Sequence, residues 1–298
     1  MNPNIKGFFY IAIGAASYGI LATFVKFANN NGLDTAGLIF SQYLFGALVL
    51  SILSLFLSKG KKQQREEQIT TKHSRLKLVL FGTSLGLTSS FYYLSIQYVP
   101  VSVGIILLMQ TIWMGVILEF FLARHLLNKT KIIGALIAIT GTLLAAKVFE
   151  SDFIVNPTGI GFGLLAAVSY TATMYASNKI ALELPIITRS KYLVYGGFII
   201  VLLFWNVRII ESISWIVFFK WGAFLGLFGT ILPPILFNKG FPQIGTGLGS
   251  IIASLEIPVS VFSAYIILNE DISALQWLGI GIILLSVVVI NLKQLKRE

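Results

Sequence analysis

The chain has 298 residues, of which 56% are hydrophobic and only 11% charged, with a formal net charge of +10 and no cysteine. A soluble domain carries about 25% charged residues, so two soluble domains are excluded, and the missing thiols exclude disulfide frameworks and cysteine-ligated metal sites. The Lys and Arg excess lies in the connections and at the ends of apolar runs, where membrane proteins place it, so it implies no nucleic-acid partner.

A helix needs roughly 20 apolar residues to cross the hydrocarbon layer. Ten such spans are predicted, at 7–28, 36–57, 77–97, 101–122, 132–149, 158–181, 189–207, 215–237, 244–268 and 275–292. The first follows Lys6 and is too long for the h-region of a cleavable leader, about 7–15 residues, so it is read as a retained membrane helix. It carries Tyr18 near its middle, and the second span carries Gln42. Between spans two and three, residues 58–76 are polar, basic and without period, and a mobile loop is predicted there.

In the third span Ser90, Tyr93 and Gln97 share one helical face. The fourth carries Gln110 and Thr111, and near its end Glu119 reaches the interface or pairs with Arg124. In the sixth, Tyr170, Thr173 and Ser177 share a face. The eighth contains Pro233 and Pro234, and the ninth Pro258. Proline removes a backbone donor and frees the carbonyl four residues back, Ser254 in the case of Pro258, so these three prolines are predicted hinges. Trp215 and Trp277 fall at span ends, as anchoring indoles do.

Glu256 is the most informative residue. It lies inside an apolar run, 244–268, that holds no other charge. A carboxylate at that depth costs several kcal/mol unless it is paired, hydrated or protonated, which marks a functional site. Glycine and serine stripes, Gly249 to Ser263 in span nine and Gly104 to Gly115 in span four, read equally well as packing seams.

An even number of spans puts both termini on one side. If that side is the cytoplasm, only Lys26, Lys147, Arg208 and Lys220 of the 22 Lys and Arg residues fall outside, and this asymmetry selects the orientation. A multi-pass membrane protein with both termini cytoplasmic is therefore expected, and the resemblance given below implies the cell inner (plasma) membrane.

The halves also match one another. At one offset Gly104 falls on Gly249, Trp113 on Pro258 and Gly134 on Gly279; at a slightly larger one Ala16-Ser17-Tyr18 falls on Val168-Ser169-Tyr170. Residues 1–150 and 151–298 are thus read as five-span repeats. Because five is odd, the second enters the bilayer the opposite way, the inverted-repeat plan of many secondary transporters. The expected fold is an all-α integral membrane protein of ten transmembrane helices in two five-helix inverted repeats. Tyr18 and Tyr170 then occupy equivalent places and flank a common cavity.

The five-plus-five layout, with Leu255-Glu256-Ile257-Pro258-Val259 followed by Glu270, resembles an EamA-type member of the drug/metabolite transporter superfamily. The resemblance covers nearly the whole chain and implies a ten-helix carrier of the bacterial inner membrane, many of which export amino acids or other metabolites. Two positions depart from it. Trp113 stands where the family often has proline, and Arg124 or His125 where it often has an acidic residue. Glu270 fits the pattern but lies near the outer surface and is read as structural.

The function expected is a secondary active carrier, working by alternating access and exporting a small metabolite such as an amino acid or amine. Coupling to protons through Glu256 is expected; Na+ remains open. Candidate substrate and coupling residues are Glu256, Tyr18, Tyr170, Gln110, Thr111, Tyr93, Ser90, Thr173 and Gln42, with no cofactor and no metal. The alternatives are a channel, which needs rings of charge or carbonyls around a pore, and a membrane-embedded enzyme, for which no phosphate-cradling or metal motif is present.

Overall fold

In hydrocarbon every backbone amide and carbonyl must be satisfied within the chain, so apolar runs of this length become helices. The structure, a computed structural model, describes residues 3–57, 65–123, 129–145 and 156–295, and among them it has helices and no strand. Lys59, Lys61, Lys62, Arg124, His125, Lys147, Lys296 and Arg297 lie outside the described residues.

The first half runs α1 (Pro3–Asn30), α2 (Thr35–Leu57), α3 (Arg65–Tyr98), α4 (Val101–Leu108), α5 (Thr111–Ala123) and α6 (Lys129–Ala145). The second runs α7 (Pro157–Lys179), α8 (Ile186–Ser212), α9 (Ala223–Leu225), α10 (Leu232–Ile244), α11 (Thr246–Ala253), α12 (Glu256–Leu268) and α13 (Ala274–Leu295). Seven helical stretches are long and apolar enough to cross a membrane: Asn4–Asn30, Thr35–Phe56, Val101–Phe121, Pro157–Lys179, Ile186–Ser212, Val217–Ile244 and Thr246–Leu268. The apolar parts of α6 and α13, Ile132–Leu144 and Ala274–Leu285, are shorter, and α3 is long but begins in polar sequence.

That beginning corrects the loop expected over 58–76 from Arg65 onward, while residues 58–64 of it lie outside the described residues. The helix already starts at Arg65. Hydropathy marks where a helix enters oil, not where it starts, and Arg65 to Lys77 continue the α3 rod beyond the apolar part.

The predicted fourth and ninth spans are each broken near the middle. Between α4 and α5 the backbone tightens, with Gln110 N donating to Leu107 O at 3.2 Å and Ile112 N to Met109 O at 3.0 Å. Between α11 and α12, Leu255 N donates to Ile252 O at 3.1 Å and Ile257 N to Ser254 O at 2.9 Å. Both are i→i−3 turns. Pro258 therefore falls in the first turn of α12, where a missing N–H costs nothing, and the Ser254 carbonyl is taken up locally. Pro233 and Pro234 likewise open α10, and π-helical turns at Val217–Gly222 and Gly226–Ile231 precede it.

Close seams hold the bundle. Gly82 and Gly86 of α3 face the backbone of Leu193 and Gly197 of α8, leaving no room for a Cβ. On α2, Gly46 meets Thr230. The outward surface is apolar, with Phe121, Leu203, Ile210 and Trp215 exposed, as a lipid-facing surface is.

Candidate functional site

Helices α1, α3, α4, α7 and α12 converge on a cavity of about 30 Å³ lined by Tyr18, Tyr92, Tyr93, Tyr170 and Glu256, with Leu21, Leu85, Thr88, Ser89 and Leu108 completing the wall. One or two waters fill such a volume.

Glu256 is 2% exposed. It is the first residue of α12, so the break in the span sets its carboxyl at the positive end of the α12 dipole. Its Oε2 accepts the Tyr170 hydroxyl at 3.1 Å, and among the described residues no cation pairs with it. Tyr18 stands edge-on to Tyr170, ring centroids 5.9 Å apart. Phe237 of α10 packs against both rings, at 5.6 and 6.4 Å. The Tyr92 hydroxyl faces Ser260 Oγ without a complete hydrogen bond.

The other sequence-predicted residues lie around this centre. Tyr93 lines the cavity and donates to Gln42 Oε1 at 2.8 Å; Gln42 is buried behind it, with its Nε2 unpartnered. Ser90 accepts the Trp205 indole N–H at 3.1 Å. Thr111 meets Thr171 Oγ1 at 2.7 Å, and Thr173 meets Ser84 Oγ at 2.8 Å. These pairs tie α3 and α5 to α7 and α8 rather than line the cavity. Gln110 accepts from Trp113 Nε1 at 3.0 Å. Of the nine, the cavity wall contains Tyr18, Tyr93, Tyr170 and Glu256.

Three features escaped the sequence reading. Tyr92 enters the wall beside Tyr93, which only the rotation of α3 decides. Arg189, counted in the sequence only as a basic residue at the end of a span, is buried at the start of α8. Its guanidinium donates to the carbonyls of Ile180 at 3.1 Å, Asn238 at 2.9 Å and Ser177 at 2.6 Å, closing the end of α7. A basic residue there complements the helix dipole.

The third is a reciprocal pair of caps. Glu270 accepts from Val101 N at 3.1 Å and Ser102 N at 3.4 Å, at the start of α4. Glu119 accepts from Gly247 N at 3.1 Å, at the start of α11. An acid in the first half is thus supplied five residues before Arg124 and six before His125. Asn178 reinforces the α11 start through Thr246 Oγ1 at 2.8 Å.

The family model for "EamA-like transporter family" matches residues 5–147 and again 157–292. The chain is 26% identical over 263 residues to the uncharacterized transporter YetK of Bacillus subtilis (strain 168), covering 85% of this chain and 78% of that protein. A solved crystal structure superposes with a TM-score of 0.70 at 14% identity, over 95% of this chain and 98% of that one, a likeness of fold. With a membrane-spanning helical fold and two matches that together take in almost every residue, the chain belongs to the EamA-like transporter family.

Proposed function

We propose that this protein is a secondary carrier in which Glu256 is the coupling group, working by alternating access between two five-helix halves of opposite orientation. The carrying observation is a buried carboxylate with one hydroxyl partner and no cation among the described residues, beside a small cavity. The two broken spans support the inverted plan: α4/α5 and α11/α12 interrupt at the positions the internal match aligns. The half-helix termini then meet at the bilayer midplane, where such carriers place their sites.

The cavity walls are aromatic faces and one acid. Aromatic faces attract organic cations, and a carboxylate pairs with an ammonium, so the chemistry favours an amine or amino acid. Glu256 exchanges its proton for that ammonium as the cavity opens to one side and then the other. The proton gradient drives export, with the Lys- and Arg-rich face in the cytoplasm of a bacterial inner membrane.

The test is Glu256→Gln in proteoliposomes under an imposed pH gradient, against a panel of amines and amino acids. Transport is expected to fall at least tenfold and to lose its pH dependence, since Gln has no proton to exchange and no charge to pair with an ammonium. A variant that keeps the full rate and the full pH profile removes Glu256 from the mechanism.

A further inference from the structure

On the face proposed as cytoplasmic, two cations converge on one ring. The Arg75 guanidinium carbon lies 5.6 Å from the Tyr192 centroid, and Lys191 Nζ lies 5.0 Å from it. They come from different helices, α3 and α8, and repel one another. Lys191 uses one of its three donors on Ser54 Oγ at 3.0 Å. Arg75 Nε is buried and has no partner. The carboxylate of Glu183 takes the hydroxyl of Ser74, the residue before Arg75. Two cations held together with donors unfilled favour a negative group between them.

Position says what that is. The ring stands at the end of the apolar part of α3, and Leu55 and Leu76 beside Ser54 and Arg75 are 68% and 56% exposed, as acyl chains require. Planar guanidinium and ammonium donors suit phosphate oxygens, and basic pockets between transmembrane helices hold phosphate headgroups. We propose that Arg75, Lys191, Tyr192 and Ser54 form a binding site for the phosphate of an anionic phospholipid in the leaflet at the Lys- and Arg-rich end of the bundle.

The test uses the full chain, purified and returned to nanodiscs of phosphatidylcholine with a minor share of phosphatidylglycerol. Lipids retained after ejection are counted by native mass spectrometry. Wild type is expected to keep phosphatidylglycerol over phosphatidylcholine. The R75Q/K191Q variant is expected to weaken that retention about thirtyfold, from the removal of two charges at a surface phosphate. R208Q, on the opposite face, is expected to behave as wild type. Retention unchanged in R75Q/K191Q overturns the site. So does wild type that keeps both lipids equally, a result independent of whether the double variant folds. Millimolar inorganic phosphate that displaces the lipid overturns the headgroup assignment in favour of a small-anion site.

Discussion

At the scale of single residues, the contact that decides most is the Tyr170 hydroxyl on Glu256. A buried hydrogen bond is worth about 0.5–1.5 kcal/mol net, and more when its partner is charged, so Tyr170→Phe is expected to cut transport by about tenfold while leaving the fold intact. Transport assays paired with a thermal melt in detergent check this, and a melt that falls with the rate would assign the bond to structure. Arg189 is the opposite case. Removing its side chain strands carbonyls of α7 and α10 in a buried place, so Arg189→Met is expected to cost about 2–4 kcal/mol of stability, read as a lower melting temperature. Glu183 lies outside the spans, and the Ser74 hydroxyl holds its carboxyl below the usual carboxylate range. A depressed acid gives stability that is complete above its unfolded value and is lost as pH falls through the folded one. The Ser74–Glu183 tether is therefore expected to hold through neutral pH and to loosen only in strong acid. A melting profile of wild type against Glu183→Gln between pH 3 and 7 checks this, with the two curves expected to merge at the acid end.

At the scale of elements, the sequence was clear wherever burial in oil sets the rule and unclear where packing does. Glu256 and the Tyr18/Tyr170 pair could be found because a carboxylate in an apolar run and two rings at matched positions are conspicuous by composition alone. Tyr92 could not, since the rotation of α3 is set by glycine contacts with α8 that no single span reveals. Thr111 and Thr173 were ambiguous for the same reason: a hydroxyl on a membrane helix serves a cavity or a neighbouring helix equally well. The start of α3 was hidden because polar sequence outside the bilayer carries no hydropathy signal. The breaks in the fourth and ninth spans were marked by proline in only one of them. The seam itself is testable. Gly86→Leu forces α3 away from the Gly197 backbone, and overpacking of this kind costs about 1–3 kcal/mol. Gly161, which has open space around it, is expected to accept Ala with no change in melting temperature.

At the scale of the whole molecule, the absence of cysteine in all 298 residues makes the topology directly measurable. Asn31→Cys and Ser273→Cys are expected to react with a membrane-impermeant maleimide on intact cells. Ser74→Cys and Leu182→Cys are expected to react only after permeabilisation. Labelling of Ser74→Cys on intact cells would reverse the proposed orientation.

The reciprocal caps bear on how such a chain can be divided. Glu119 satisfies amides that belong to α11, and Glu270 satisfies amides that belong to α4. Each segment thus finishes its companion's hydrogen bonding and leaves its own unfinished. Cut between residues 145 and 157, the two fragments are expected to be degraded when made singly and to assemble when made together, because each is the other's missing solvent.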